Sequence, residues 1–289
     1  MSTSAKKISA RQQRPTATHQ TAKTRQANVT PAKAEAELTE QLRELRLPMF
    51  REHFASQAQR ATQESLSHTE YLAALADLEC QARRASRISR LLHQSCLPSS
   101  KSWSNFDWTR LPLQVARQLE SLRDGSFLDR RENLLLFGKP GSGKSHCLCA
   151  LGEQLIGRGR SVWFTTCTFL VQQLLIAKRD LRLPKLIQKL SRYDALIIDD
   201  LGYVQQSREE MEVLFTLLAE RYERGSVMLT SNLPFSRWEQ IFKDAMTTAA
   251  AIDRLVHHSV ILELNVSSYR LENAKKAKPS DAGQADGKV

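Results

Sequence analysis

The chain has 289 residues, 41% hydrophobic and 25% charged, enough apolar material for one large domain or two modest ones. Its longest apolar runs, such as Leu134–Phe137 and Ala195–Ile198, are strand length, and its start lacks the apolar stretch of a signal peptide. With nothing near the roughly 18 residues that cross a bilayer, no membrane partner is expected. Its 42 Lys and Arg against 31 Asp and Glu give a net charge of +11, which points to a polyanionic partner, nucleic acid first.

The charge is concentrated at the start. Residues 1–34 carry seven basic side chains (Lys6, Lys7, Arg11, Arg14, Lys23, Arg25, Lys33) and no acid, which leaves +4 on the remaining 255 residues. This stretch is Ser-, Thr-, Gln- and Ala-rich and too poor in large apolar residues to fold alone, so a disordered basic tail is expected. It lacks the amphipathic face of a transit peptide. Cys80, Cys96, Cys147, Cys149 and Cys167 form no C-x-x-C pair, which argues against a zinc site and for reduced thiols in the cytoplasm.

Residues 35–128 read as a helical domain with a linker. Leu38, Leu42, Leu45 and Met49 fall at helical spacing, as do Tyr71, Leu75, Leu78 and Ala82. The second helix continues into Arg83, Arg84, Arg87 and Arg90, and no acid occurs between Cys80 and Phe106. That stripe is either a wet helix face or a surface for DNA phosphates. Pro98, Ser99 and Ser100 stop the helix, and Trp103–Trp108 begin a connecting segment.

From about residue 129 to 273 strands and helices alternate. The predicted strands are 133–137, 161–165, 194–198, 226–231 and 258–264. The predicted helices are 144–156, 168–179, 184–192, 207–222, 236–242 and 247–256. Such alternation implies an α/β fold, a parallel sheet covered by helices. Residues 274–289 are polar and expected to be disordered.

Gly138-Lys139-Pro140-Gly141-Ser142-Gly143-Lys144-Ser145 matches the phosphate-binding loop G-x-x-x-x-G-K-[ST], after a strand and before a helix. The glycines let successive backbone N–H groups turn inward on phosphate oxygens. Lys144 adds a cation, Ser145 a hydroxyl for Mg²⁺, and the helix its positive end. ATP and Mg²⁺ are therefore the expected ligands. Ala195–Ile198 is an apolar strand ending in Asp199 and Asp200. Asp199 is expected to hold the metal through water, and Asp200 to orient or deprotonate the attacking water. Thr230-Ser231-Asn232 ends the next strand, where Asn232 either caps a turn or faces the ligand crevice. His257 and His258, adjacent on a helix, would point about 100° apart and make a poor metal pair.

The runs LLLFGKPGSGKSH, SRYDALIIDDLGY, LLAERYERGSVMLTSNLPFSRW, IDRLVHH and SSYRLEN resemble the IstB family. LRLPMF and SNFDWTR near the N-terminus are also similar to it. These are helper ATPases of bacterial insertion sequences, related to DnaC-type helicase loaders and DnaA-type initiators. The resemblance covers about residues 38–273 and leaves the basic tail outside. It implies an AAA+ P-loop ATPase module behind a small helical domain. It further implies a protein that forms homo-oligomers on duplex DNA, remodels it and recruits a cognate transposase. By the same resemblance Lys144 and Ser145 are Walker A residues, and Asp199 and Asp200 Walker B residues. Asn232 senses the terminal phosphate, Arg254 is a finger reaching a neighbour's nucleotide, and Arg270 is a second sensor. The family's commonest second Walker B residue is Glu, where this chain has Asp200. A replicative helicase loader is the nearest alternative. A metabolic P-loop kinase and a DNA scaffold that uses ATP only for assembly are the others.

Overall fold

The computed structural model describes residues 31–202, 207–242 and 244–269. The chain divides into two compact units at Glu79/Cys80. The described residues of the first, 31–79, are helical. Helix α1 spans Pro31–Glu44, so the last four residues of the predicted tail are helical. The leucine spacing suggested that this helix would continue through Met49. Instead the chain turns at Arg46 (φ 56°), and Pro48 begins α2 (Pro48–Gln63). A proline there lacks the N–H that an uninterrupted helix would need. Helix α3 (His68–Ser95) follows a reciprocal cap: Glu70 accepts from the Ser67 N–H (2.8 Å) and the Ser67 hydroxyl accepts from the Glu70 N–H (3.2 Å). Glu79, itself buried, accepts from the Met49 N–H at 2.9 Å. Among the described residues of this unit, Leu42 and Leu75 are the buried apolar side chains.

The second unit takes in more chain than the sequence suggested, starting at Cys80 and not near residue 129. After α3 come two single 3-10 turns (Trp103–Asn105, Trp108–Arg110), then α4 (Leu113–Leu122) and α5 (Ser126–Asp129). Leu119, Leu122, Phe127 and Leu128 share one core with the strand residues Leu134 and Leu136 and with Leu148. Ile88, Leu91 and Leu97 pack against the same core. The supposed linker is thus one cover of the sheet, which is why its apolar residues could not stay exposed.

Five parallel strands form that sheet: β1 (Asn133–Gly138), β2 (Val162–Thr166), β3 (Ala195–Leu201), β4 (Ser226–Ser231) and β5 (Ser259–Leu264). Their order is β2-β3-β4-β1-β5. Five of the intervening helices are α6 (Lys144–Gly157), α7 (Cys167–Arg179), α8 (Leu183–Leu190), α9 (Arg208–Arg221) and α11 (Ala245–Val256). Between β4 and α11 the predicted helix 236–242 is a 3-10 turn followed by the short α10 (Glu239–Phe242). A second core on the other face joins Leu135, Leu170, Ile198, Leu214, Leu217 and Trp238. Arg221, 1% exposed, donates to the carbonyls of Leu190, Tyr193, Asp194 and Ser226 and so ties α8 to the starts of β3 and β4. Burial pulls its guanidinium down to about 10. No helix among the described residues is long and apolar enough to cross a membrane.

Candidate nucleotide site

Strand β1 delivers the loop. Gly138 lies so close to β5 that a Cβ on it would stand 2.5 Å from the Leu264 carbonyl oxygen. Gly141 (φ 79°) and Gly143 (φ 96°) hold left-handed backbone, and Gly143 is the N-cap of α6. L side chains disfavour that region, so the curl of the loop depends on these glycines. Lys144 is 6% exposed, and its ammonium donates to the carbonyls of Gly138 (2.8 Å) and Lys139 (3.0 Å).

The acidic strand meets this loop. The Ser145 hydroxyl donates to Asp199 Oδ1 at 2.7 Å, and the Thr230 hydroxyl donates to the same oxygen at 2.6 Å. The Asp200 N–H in turn donates to Thr230 Oγ1 at 2.8 Å. A register irregularity between Ile198 and Leu201 interrupts the β3–β4 ladder here, and Asp200 takes φ 62°. That kink separates the two carboxylates: Asp199 is buried, while Asp200 is exposed and lines the cleft. Asn232 lines the cleft as well.

The cleft has a volume of about 380 Å³ and is walled by Pro140 to His146 on one side. Its other wall is formed by the stretch expected to be a connecting segment. Lys101, Asn105, Phe106, Asp107 and Arg110 line it, held by an aromatic cluster. Trp103 stacks on Trp108 (4.6 Å between centroids), and Phe106 stands edge-on to both and to His146. The three aromatics of WSNFDW within six residues were the signal: so dense a cluster is too apolar for a solvated loop. The segment after β5 closes the cleft from a third side. The Tyr269 N–H donates to the Gly141 carbonyl (3.0 Å), and the Arg110 guanidinium lies over the Tyr269 ring (5.0 Å). Arg270 lies outside the described residues.

Two polar atoms test whether the site fits a nucleotide. Ser142 Oγ and Asn232 Oδ1 are buried and have no hydrogen-bond partner among the described residues. Buried polar atoms are nearly always paired, so both have capacity for a polar ligand. With an α-helix N-terminus, a buried lysine and left-handed glycines around them, the residues fit a polyphosphate. Ser145 and Asp199 are the pair that could hold its Mg²⁺.

Arg254 does not line this cleft. Its backbone carbonyl accepts from Asn133 Nδ2 (3.5 Å), and Leu255 accepts from the same nitrogen (3.0 Å). Asn133 is the first residue of β1, whereas the loop follows the last, roughly 17 Å along the strand. The side chain folds back to the Ala250 carbonyl (3.3 Å) and over the Phe215 ring of α9 (4.6 Å). Arg83, Arg84, Arg87 and Arg90 are exposed on α3, and Arg87 donates to the Gly159 carbonyl at 3.1 Å. Lys6, Lys7, Arg11 and Arg14 lie outside the described residues.

The model of the IstB-like ATP binding protein family matches residues 40–277. A Sinorhizobium fredii protein named for ATP binding in an insertion sequence is 43% identical over 84% of this chain and 82% of its own length. A Pseudomonas aeruginosa protein, named for ATP binding in the insertion sequence IS21, is 36% identical over 83% and 91%. Among solved structures, AMPPCP-bound DnaA from Aquifex aeolicus superposes with a TM-score of 0.51 at 14% identity, covering 63% of this chain and 55% of that one. The DnaC helicase loader gives 0.50 at 13% identity, covering 58% and 98%. At such identities these two speak for the fold alone. The family match over most of the chain, the similarity to insertion-sequence proteins and the phosphate loop with its acidic strand lead to one conclusion: this chain belongs to the IstB-like ATP-binding protein family, on an AAA+ P-loop fold.

Proposed function

We propose that the chain hydrolyses ATP at this cleft, that it assembles with copies of itself on duplex DNA, and that it recruits a transposase there. The observation that carries the reading is the hydrogen-bonded line from Ser145 through Asp199 to Thr230, with Asp200 held beside it on the cleft side. The loop N–H groups and Lys144 bind the phosphates and keep the terminal one in place. Magnesium, held by Ser145 and Asp199, supplies neutralisation of phosphate charge when bound. Asp199 takes both hydroxyl donors on one oxygen, which orients its carboxylate toward the loop. Asp200, outside that pairing, accepts the proton of the attacking water. The Asn232 amide orients the water or the terminal phosphate. Asp200 is one methylene, about 1.5 Å, shorter than the glutamate commonest at this position in the family. The kink at Asp200 therefore matters for how far forward its carboxylate reaches.

Arg254 sits at the sheet edge away from its own loop, which favours action on a neighbouring subunit's nucleotide. An arginine supplied in trans stabilises transition-state charge and makes turnover depend on assembly. The exposed arginines of α3 and the basic start of the chain supply phosphate contacts without reading bases. The relatives' names place them in insertion sequences, whose movement requires a transposase.

Turnover measured with and without duplex DNA tests the reading. DNA is expected to stimulate hydrolysis, and Asp200→Asn to bind ATP normally while turning over at least about 100-fold more slowly. Undiminished turnover in Asp200→Asn would remove Asp200 from the chemistry, and the absence of any turnover in the native protein would reduce the site to binding.

A further inference from the structure

His257 and His258 do not share a helix. Helix α11 ends at Val256, His257 is its C-cap, and His258 immediately precedes β5. His257 keeps right-handed helical backbone (φ -49°, ψ -44°), and the two ring centroids come within 4.1 Å. The rings thus approach each other where helix geometry alone leads one to expect a pair pointing about 100° apart, and side-chain orientation closes the gap. Facing them is Glu223, in the turn between α9 and β4. One carboxylate oxygen of Glu223 and one ring nitrogen of each histidine lie within 4.8 Å of one another, and all three residues are exposed.

We infer that Glu223, His257 and His258 bind a divalent transition-metal ion of the zinc type. Two imidazoles and a carboxylate form a donor set that such ions favour over hard cations such as Mg²⁺. Zinc ligands stand about 2.0–2.2 Å from the ion, hence roughly 3.4 Å from one another in a tetrahedron. The donors lie within 4.8 Å of one another, near that spacing, and water would complete the shell. Glu223 Oε1 is 3.8 Å from His258 Nε2. That is too long for a hydrogen bond and suits two ligands around one ion. A supporting contact is also in place, with the Tyr222 hydroxyl 2.7 Å from His257 Nδ1. In the tautomer that donates Nδ1–H to the Tyr222 oxygen, Nε2 keeps its lone pair for the metal, the usual arrangement of an oriented histidine ligand. Glu223 itself holds left-handed backbone (φ 57°), at a helix end where glycine is the common choice.

The site lies before the first residues of β4 and β5, at the sheet edge away from the P-loop, and is separate from the nucleotide's magnesium. An ion there would cross-link the end of α11 to the turn that follows α9. Arg254 stands three residues before His257 on α11, and Phe215, beneath its guanidinium, is on α9. The ion would therefore fix the seat of Arg254.

The test uses the full chain, purified without a histidine tag and stripped with chelator. Titration calorimetry with Zn²⁺ is expected to show saturable binding of one ion per chain. His257→Ala, His258→Ala and Glu223→Gln are each expected to weaken it at least about 10-fold. Co²⁺ should give visible bands without an intense sulfur-to-metal transition. Circular dichroism and ATP affinity of the variants check that they fold. The proposal is overturned by a lack of saturable binding, or by binding that survives the His257→Ala/His258→Ala double variant. A strong sulfur band would also overturn it, because it would move the metal to the exposed Cys80 or Cys96.

Discussion

The two units of this chain solve the burial problem differently. Residues 31–79 bury two apolar side chains, Leu42 and Leu75, whereas the described residues from 80 onward bury 45. The first unit leaves Leu38, Leu45 and Leu72 exposed and depends on backbone-to-carboxylate bonds such as Met49 to Glu79. The second has a core on each face of a five-stranded sheet. A site that must hold a buried lysine and aspartate in register needs a rigid support, and the sheet supplies it. A helical unit with so little interior is suited to work through its surface.

Substitutions of one chemical kind should expose that contrast most strongly. Leu148→Ala, in the sheet core, is expected to cost about 2–5 kcal/mol, and Leu72→Ala, 57% exposed in the first unit, less than about 0.5 kcal/mol by denaturant unfolding. Comparable losses would mean that the first unit has an interior of its own kind. Next in size, Lys144→Ala is expected to weaken ATP binding at least about 100-fold, roughly 2.7 kcal/mol, with the fold intact. Unchanged affinity in calorimetry would take the nucleotide away from the loop.

A pH-dependent effect is set by the thiols. Burial pushes Cys147, Cys149 and Cys167 up to about 12, while Cys80 and Cys96 are exposed. The unfolded chain ionises its thiols near 8.5–9 and the folded chain holds those three protons longer. Stability from this source is complete below pH 8.5 and falls as pH rises toward 12, by at most about 1.4 kcal/mol per pH unit per thiol. Unfolding midpoints at pH 8 and 10 check the direction. A thiol reagent should label Cys80 and Cys96 before unfolding, and the other three only after it. The smallest effect concerns the arginines of α3. Replacing Arg83, Arg84 and Arg90 by Ala should lower the slope of log DNA affinity against log salt by about 0.9 for each phosphate no longer neutralised. An unchanged slope would make the stripe a solvated helix face.

Much of the second unit was legible because its signals are local. Strand β4 was placed to the residue, and the other four to within one at their starts, since apolar runs of strand length bounded by polar residues leave little choice. The phosphate loop and the two aspartates were legible because their chemistry fixes residue types at fixed spacing. What stayed hidden depends on partners distant in sequence. Nothing near Thr230 announces that its hydroxyl links Asp199 to the Asp200 backbone. Arg110 is one arginine among many until it meets Tyr269, 159 residues later. The α1–α2 break was masked by leucines that keep helical spacing across Pro48, and the histidine pair by side-chain orientation, which residue spacing does not encode.

Asn133 shows how narrow the tolerance of a buried position can be. Its side-chain oxygen accepts from the Val227 N–H (2.8 Å), and its nitrogen donates to the carbonyls of Leu255 and Arg254. Aspartate keeps the acceptor but turns a second oxygen toward two carbonyls. Leucine has nearly the shape and strands a strand N–H, serine is too short to span both neighbours, and glutamine is too long for the gap. The alphabet of twenty thus offers one letter that closes all three bonds, so drift at this position should be far slower than its ordinary, uncharged chemistry suggests.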